Sequence, residues 1–365
     1  MRILIIGFTK LAYMPYMNFY LEQLTKTDNE IHLQYWNRDL KEEISLPFNI
    51  KLHEFRLYQE DDVAKIRKIK SFMKYRKQVK QLLLYGKFDL VIVMHTIPGV
   101  ILFDILKKYY SNKYILDYRD VTFENIRIYK KIIHKLVEHS VATFVSSDAF
   151  RVYLPNMDKI YISHNILLDS IENKDVRRCG SREIDPIRIR YWGFIRHVDI
   201  NKSIIERLAN DSRFELHYHG REQETAHNLK RYCIEFDIKN VFFHGEYRPE
   251  ERYSFAKETD FIHNVFENDK TMQPAMANKF YDGLIFCIPQ LCNAGSYMGR
   301  QVTDAKIGFE CNPYSQSFAN DLFRFYTSIT WKAFEENCNS KLDEILVEYQ
   351  EGVNVIKGIL KNEML

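Results

Sequence analysis

Glycine and proline are scarce in this 365-residue chain, at 13 and 9 residues, so its loops turn with few of the residues that turn most readily. Cysteine is missing from the first stretch of the chain, up to residue 178. All six, Cys179, Cys233, Cys287, Cys292, Cys311 and Cys338, lie beyond it, with no CxxC spacing and no neighbouring histidine to complete a zinc set. This argues against a disulfide scaffold or a structural zinc and predicts reduced, mostly buried thiols in a cytoplasmic protein. No stretch approaches the ~18 apolar residues of a spanning helix, and the opening MRILIIGF is too short an apolar run for a signal peptide, which leaves the cytosol or the inner surface of the membrane. The net charge of +3 is too small to make nucleic acid a partner. No GxGxxG follows a strand-like run, which argues against a dinucleotide oxidoreductase, and no paired-aspartate motif sits at a strand end, so neither cofactor nor metal is expected.

The chain does have a folded protein's composition, 46% hydrophobic and 28% charged, and a length suited to two domains. Short β-branched runs alternate with helical patterns. In the first half, strands are predicted at Arg2–Phe8, Ile31–Trp36, Ile50–Phe55, Phe88–Met94, Tyr114–Asp117, Ala142–Ser146 and Lys159–Ile162, with a helix over Met14–Leu24 and a turn at Pro98-Gly99. In the second half, strands are predicted at Ile187–Trp192, Phe214–His219, Val241–His244, Phe261–Val265 and Phe286–Leu291, separated by helices. A charged, aperiodic stretch lies between. The pattern predicts an α/β fold of two Rossmann-like, doubly wound domains facing a central cleft. The expected boundaries are 1–170 for an acceptor-binding domain, 171–186 for the linker, 187–340 for a nucleotide-binding domain, and 341–365 for a C-terminal helix crossing back to the first domain.

In YWGFIRHVDINKSIIERL a strand runs into Gly193, and Arg196 and Lys202 flank a loop in which Asp199 or Asn201 is placed to cap the next helix. Fixed cations and free helix N–H groups at one spot make a diphosphate site. Downstream, ANKFYDGLIFCIPQL puts Asn278 and Lys279 at a helix start and Asp282 where a carboxylate accepts both ribose hydroxyls. These segments and FHGEYRPEERYSFAKETDF, in this order and spacing, resemble the nucleotide-binding half of GT-B glycosyltransferases, especially the large retaining group called glycosyltransferase group 1. The likeness covers Ile187–Gly308, and the first half only by architecture.

The resemblance implies that Arg196 and Lys202 hold phosphate, that Gly193 turns beneath it, and that His219-Gly220 and Gly245-Glu246-Tyr247 border the base, with Tyr247 stacking. It places Asn278, Lys279 and Asp282 at phosphate and ribose, Gly7–Lys10 in the first glycine-bearing loop, His95 beside the acceptor, and Asp117 and Asp120 facing the cleft. Asp282 and Pro274 stand where many relatives carry two glutamates, and Cys287 replaces a usual glycine. The implied activity is metal-independent sugar transfer from a nucleoside-diphosphate sugar, UDP-sugar favoured, to a glycan or lipid-linked saccharide in bacterial surface polysaccharide synthesis. A nucleotide-sugar 2-epimerase and a catalytically inactive binding protein are the alternatives. His95 and Asp120 are competing bases for the acceptor hydroxyl. Lys65, Arg67, Lys68, Lys70, Lys74, Arg76, Lys77 and Lys80 interleave with apolar residues over 65–80, as in a helix lying on an anionic membrane or in a solvated face of an ordinary one.

Overall fold

The computed structural model describes residues 1–46, 49–59, 65–176, 180, 186–248, 250–267 and 273–361. Cys179 and half of the expected linker, residues 177–179 and 181–185, lie outside them. The chain divides into two compact units, Met1–His164 with Val347–Leu365, and Asn165–Leu346.

The first unit contains β1 (Arg2–Ile6), α1 (Asn18–Leu24), β2 (Glu30–Asn37), β3 (Ile50–Arg56), α2 (Lys65–Gly86), β4 (Leu90–Met94), α3 (Thr96–Ile101), α4 (Phe103–Tyr109), β5 (Tyr114–Tyr118), α5 (Arg127–His139), β6 (Ala142–Val145) and β7 (Ile160–Ile162). Its seven strands pair in parallel in the order β3-β2-β1-β4-β5-β6-β7. β4 and β5 are buried at every residue because helices cover both faces, which explains the unbroken apolar run of β4. Leu83 of α2, Leu106 of α4 and Leu136 of α5 join Leu4, Val93 and Leu116 in one core.

The second unit contains α6 (Asp169–Glu172), β8 (Ile187–Trp192), α7 (Val198–Leu208), β9 (Phe214–His219), α8 (Glu224–Glu235), β10 (Val241–Phe243), α9 (Glu251–Ala256), β11 (Phe261–Asn264), α10 (Asn278–Ile285), β12 (Gln290–Asn293), α11 (Tyr297–Asp304), β13 (Gly308–Cys311), α12 (Phe318–Thr327) and α13 (Trp331–Leu360). Its parallel sheet runs β10-β9-β8-β11-β12-β13. The doubly wound α/β reading therefore holds for both halves. Because α13 passes the Leu346/Val347 boundary, the first unit is discontinuous in sequence. Its returning segment packs Tyr349 against Phe19, and at Gly352 a Cβ would stand 3.0 Å from both the Phe19 ring and the Ile162 carbonyl oxygen, a tight fit.

Some expectations are corrected. Pro98-Gly99 is not a turn but lies inside α3, where proline in a helix's first turn has no hydrogen bond to lose. The helix foreseen over Met14–Leu24 begins only at Asn18, after two 3-10 turns, the second opened by Pro15. The strand foreseen over Phe286–Leu291 starts at Gln290, because Cys287 sits at φ 50° in the turn that precedes it. α11 and β13 had no counterpart in the sequence reading.

Candidate functional site

In the second unit three strands end on glycines. The Gly193 N–H donates to the His219 carbonyl at 3.0 Å and the Gly220 N–H to the Gly245 carbonyl at 2.7 Å, so the three turns lie side by side. Gly193 (φ 127°) and Gly245 (φ 78°) hold conformations that side chains disfavour. At Gly220 a Cβ would stand 1.7 Å from the Gly193 carbonyl oxygen. These backbones approach one another as closely as glycine alone permits.

The Gly193 turn carries Arg196, which is exposed, with its guanidinium 6.0 Å from the Phe194 ring. Neither Asp199 nor Asn201 caps α7: the N-cap position is His197, at φ 69° and ψ 75°, and no side chain accepts there. Asn201 is buried inside the helix. Lys202 lies 4.4 Å over the Tyr232 ring of α8, so its ammonium is engaged on that helix. The lysine whose charge is felt beside Arg196 is Lys279. It is 6% exposed, its Nζ rests 3.4 Å above the Tyr191 ring and 5.2 Å from Phe266, and among the described residues it makes no hydrogen bond or ion pair. Burial, with help from Arg196, holds it well below the usual lysine range, against the pull of Asp282. Asn278 opens α10 in an exposed position, and its N-cap residue, Ala277, makes no side-chain cap.

Asp282 is buried, and its Oδ2 accepts the Trp192 indole N–H at 3.0 Å. Burial raises its pKa, while Arg252, the indole bond and Lys279 oppose the rise. Arg252, which the sequence did not single out, is buried and donates to Ser170 Oγ at 2.6 Å and to the Tyr253 hydroxyl at 3.0 Å. His219 is stacked between His244 at 4.2 Å and Phe255 at 4.3 Å, with Arg190 at 3.0 Å from its Nε2. Burial, His244 and Arg190 push it down to about 3, so it is neutral. Tyr247 meets Phe255 edge-on at 5.4 Å, and burial and Asp282 push its hydroxyl up to about 12. Glu267 lies 3.4 Å from His197 Nδ1.

In the first unit the two competing bases form one cluster. His95 follows β4, Asp120 follows β5, and the His95 Nδ1 lies 3.3 Å from Asp120 Oδ2, while the Tyr16 hydroxyl bonds Nε2. Adjacent parallel strands bring them together: the His95 N–H donates to the Asp117 carbonyl at 2.9 Å. His95 has φ 74° and ψ 161°, a region that only glycine enters readily, and such strain concentrates at functional sites. Burial raises the Tyr16 pKa far above its ordinary value, so the hydroxyl stays protonated. Asp117 is not at a surface: it is fully buried, 2.6 Å from the Arg119 guanidinium and accepting the Tyr20 hydroxyl at 2.6 Å. Arg119 lies 4.5 Å over the Tyr16 ring, so Asp117 positions the cluster from below. Gly7 donates to the Gln34 carbonyl at 2.8 Å and accepts from Tyr75, so both its polar groups are engaged within the unit. Lys10 is tied to Asp39 at 2.9 Å.

No family model matches the sequence, and no curated protein does. The fold has many solved counterparts. Sucrose-phosphate synthase from Thermosynechococcus elongatus superposes with a TM-score of 0.70 at 10% identity, over 99% of this chain and 98% of that one. WaaG, a glycosyltransferase involved in lipopolysaccharide biosynthesis, gives 0.64 at 13% identity over 98% and 100%. Anabaena Alr3699/HepE, solved in complex with UDP, gives 0.62 at 10% identity over 98% and 100%. This is the GT-B fold. In GT-B terms β8–β13 and their helices form the second Rossmann-like domain, and its glycine-ended strands, Arg196 and Lys279 lie where an open α/β sheet binds ligands, outside the carboxyl ends of its strands.

Proposed function

We propose that the protein is a GT-B glycosyltransferase that moves a sugar from a nucleoside-diphosphate sugar, UDP-sugar favoured, onto a glycan or lipid-linked saccharide in bacterial surface polysaccharide synthesis. The observation that carries this reading is Lys279, a buried amine without a carboxylate partner among the described residues. An unneutralised buried cation is costly, and a bound diphosphate supplies the missing anion. Arg196 and the uncapped start of α10 add to the attraction. In this reading Gly193 lets phosphate approach, Asp282 accepts the ribose hydroxyls, and His219, Gly220, Gly245 and Tyr247 border the base. Anabaena Alr3699/HepE solved with UDP-glucose and the lipopolysaccharide role of WaaG support the donor and acceptor classes.

As the bond from the sugar to the diphosphate oxygen breaks, its electron pair leaves with the diphosphate, and Arg196 and Lys279 meet that charge without a metal. With Asp120 holding Nδ1–H, His95 Nε2 takes the proton of the acceptor hydroxyl once that hydroxyl displaces the Tyr16 hydroxyl from it, while the acceptor oxygen bonds the sugar carbon that the diphosphate leaves. α2 supports docking at an anionic inner leaflet: Lys68, Lys70, Lys74, Lys77 and Lys80 surround the exposed Ile69 and Met73. The side chains of Lys65 and Arg67 lie outside those described.

Scanning fluorimetry against UDP, GDP, ADP, TDP and CDP tests the donor site. A selective UDP shift, abolished in Arg196→Ala, is the expected result, and no shift with any of them removes the case. Chelation by EDTA leaves the shift and transfer unchanged. Co-sedimentation with vesicles should require anionic lipid and weaken with salt. Pro274, in place of a glutamate, favours one second reading, a binding protein without turnover. Release of UDP from a UDP-sugar in the presence of acceptor separates the two.

A further inference from the structure

The Gly193 turn reaches Arg196 through backbone that carries no side-chain cap and passes a left-handed His197, yet its two last carbonyls are held firmly. Asn201, 1% exposed and one turn into α7, donates from Nδ2 to the Arg196 carbonyl at 2.9 Å and to the His197 carbonyl at 2.8 Å. Carbonyl oxygens only accept, which fixes the amide: the NH2 faces the turn and Oδ1 faces the sheet. Oδ1 there accepts the Tyr218 hydroxyl at 2.9 Å and the His263 Nε2–H at 3.0 Å. His263 Nδ1 accepts the Val265 N–H at 3.1 Å, which sets the Nε2–H tautomer, and burial holds the ring neutral. Every donor and acceptor of the amide is engaged. Tyr218 belongs to β9 and His263 to β11, the strands on either side of β8, from whose end the turn springs.

We propose that Asn201 is the positioning residue of the Arg196 turn, bolting it to β9 and β11 so that the guanidinium is held ready for the donor's phosphates. The proposal rests on the donor-site reading of Arg196. Asn201 itself touches no substrate and acts through the two carbonyls alone.

Asn201→Asp is the sharpest test, because its carboxylate still accepts from Tyr218 and His263 but repels the two carbonyls. Hydrogen exchange of residues 193–198 is measured in wild type and variant, and UDP affinity by calorimetry in wild type, Asn201→Asp, Arg196→Ala and the double variant. Faster exchange in the turn is expected, with a loss of about tenfold in UDP affinity that disappears in the Arg196→Ala background. Tyr218→Phe, which removes one anchor and adds no charge, should give a smaller change in the same direction and stands in if the aspartate variant does not fold. Unchanged exchange overturns the proposal, as does an affinity loss that persists without Arg196, since that marks a general weakening of the domain. Faster exchange with no UDP binding even in wild type leaves the turn-holding role in place and sinks the donor reading instead.

Discussion

Exchanging Lys279 for methionine separates the lysine's cost to the fold from its service to a ligand. Lys279 is 6% exposed, and its ammonium rests on the Tyr191 ring with no carboxylate partner among the described residues. Replacing buried ionic groups by apolar ones of similar volume commonly stabilises by about 1–4 kcal/mol, and methionine keeps a sulfur–aromatic contact with Tyr191. At about 2–4 °C per kcal/mol for a domain of this size, the unliganded midpoint should rise by about 2–16 °C. UDP at about 100-fold its Kd adds about 2.7 kcal/mol to the wild type, or about 5–10 °C. Losing a hydrogen bond to a charged group costs about 1.5–3 kcal/mol, so at the same UDP concentration the variant's shift should shrink to about 1–5 °C. The pH dependence gives a third readout. Unfolded lysine titrates near 10.4 and the folded group lower, so between the two the unfolded state holds the extra proton, and wild-type stability rises with pH toward the unfolded value. Lys279→Met lacks that rise. Thermal melts with and without UDP at two pH values suffice, and a variant that melts below wild type, or keeps the full UDP shift, refutes the reasoning.

His95→Gly should melt above His95→Ala by about 1–2 kcal/mol, because both lose the Tyr16 and Asp120 contacts but only glycine relieves the backbone; equal midpoints would show an unstrained residue, and both variants should lose transfer. His219, held at about 3, and His244 and His263, held below their ordinary range chiefly by burial, refuse a proton that the unfolded chain takes up near pH 6.5. Their contribution to stability is therefore complete above that pH and lost as pH falls through it toward the folded values, so the midpoint should drop on acidification, and less steeply in His219→Phe. Gly220→Ala should cost more than about 3 kcal/mol, since its Cβ collides with the Gly193 carbonyl, whereas Gly245→Ala, with open space around it, pays only the strain of a positive φ, about 1 kcal/mol; denaturant melts rank the two.

Most strands were legible because a parallel sheet covered on both faces demands short β-branched runs, as in LVIVM of β4, and because the strand-end glycines punctuate them. The site was legible as a set of segments and illegible as a set of contacts. Arg196 and Lys202, six positions apart, read as a pair, but helical geometry turns Lys202 onto α8, and Lys279 arrives beside Arg196 only through the packing of α10. His95 and Asp120 read as competitors because 25 positions separate them; pairing of β4 with β5 makes them partners. Asn201 looked like a cap since its residue type favours one, yet its depth in α7 reverses the direction of its hydrogen bonds. Tyr16, Arg119 and Arg252 carried no local signal at all, because their roles exist only in the folded network.

The divided first unit has a consequence for the order of events on the ribosome. A chain emerges from its N-terminus, so β1 to β7 are all available well before Val347–Leu365 is made. Until then Phe19 lacks Tyr349, His164 lacks the Glu348 carboxylate that later stands 2.6 Å away, and the groove filled by Gly352 stays open. The second unit, although begun later, is continuous and can close first. The earliest part of the protein to be synthesised is thus the last to be finished, and a chain released early would leave a complete second unit attached to an unsealed first.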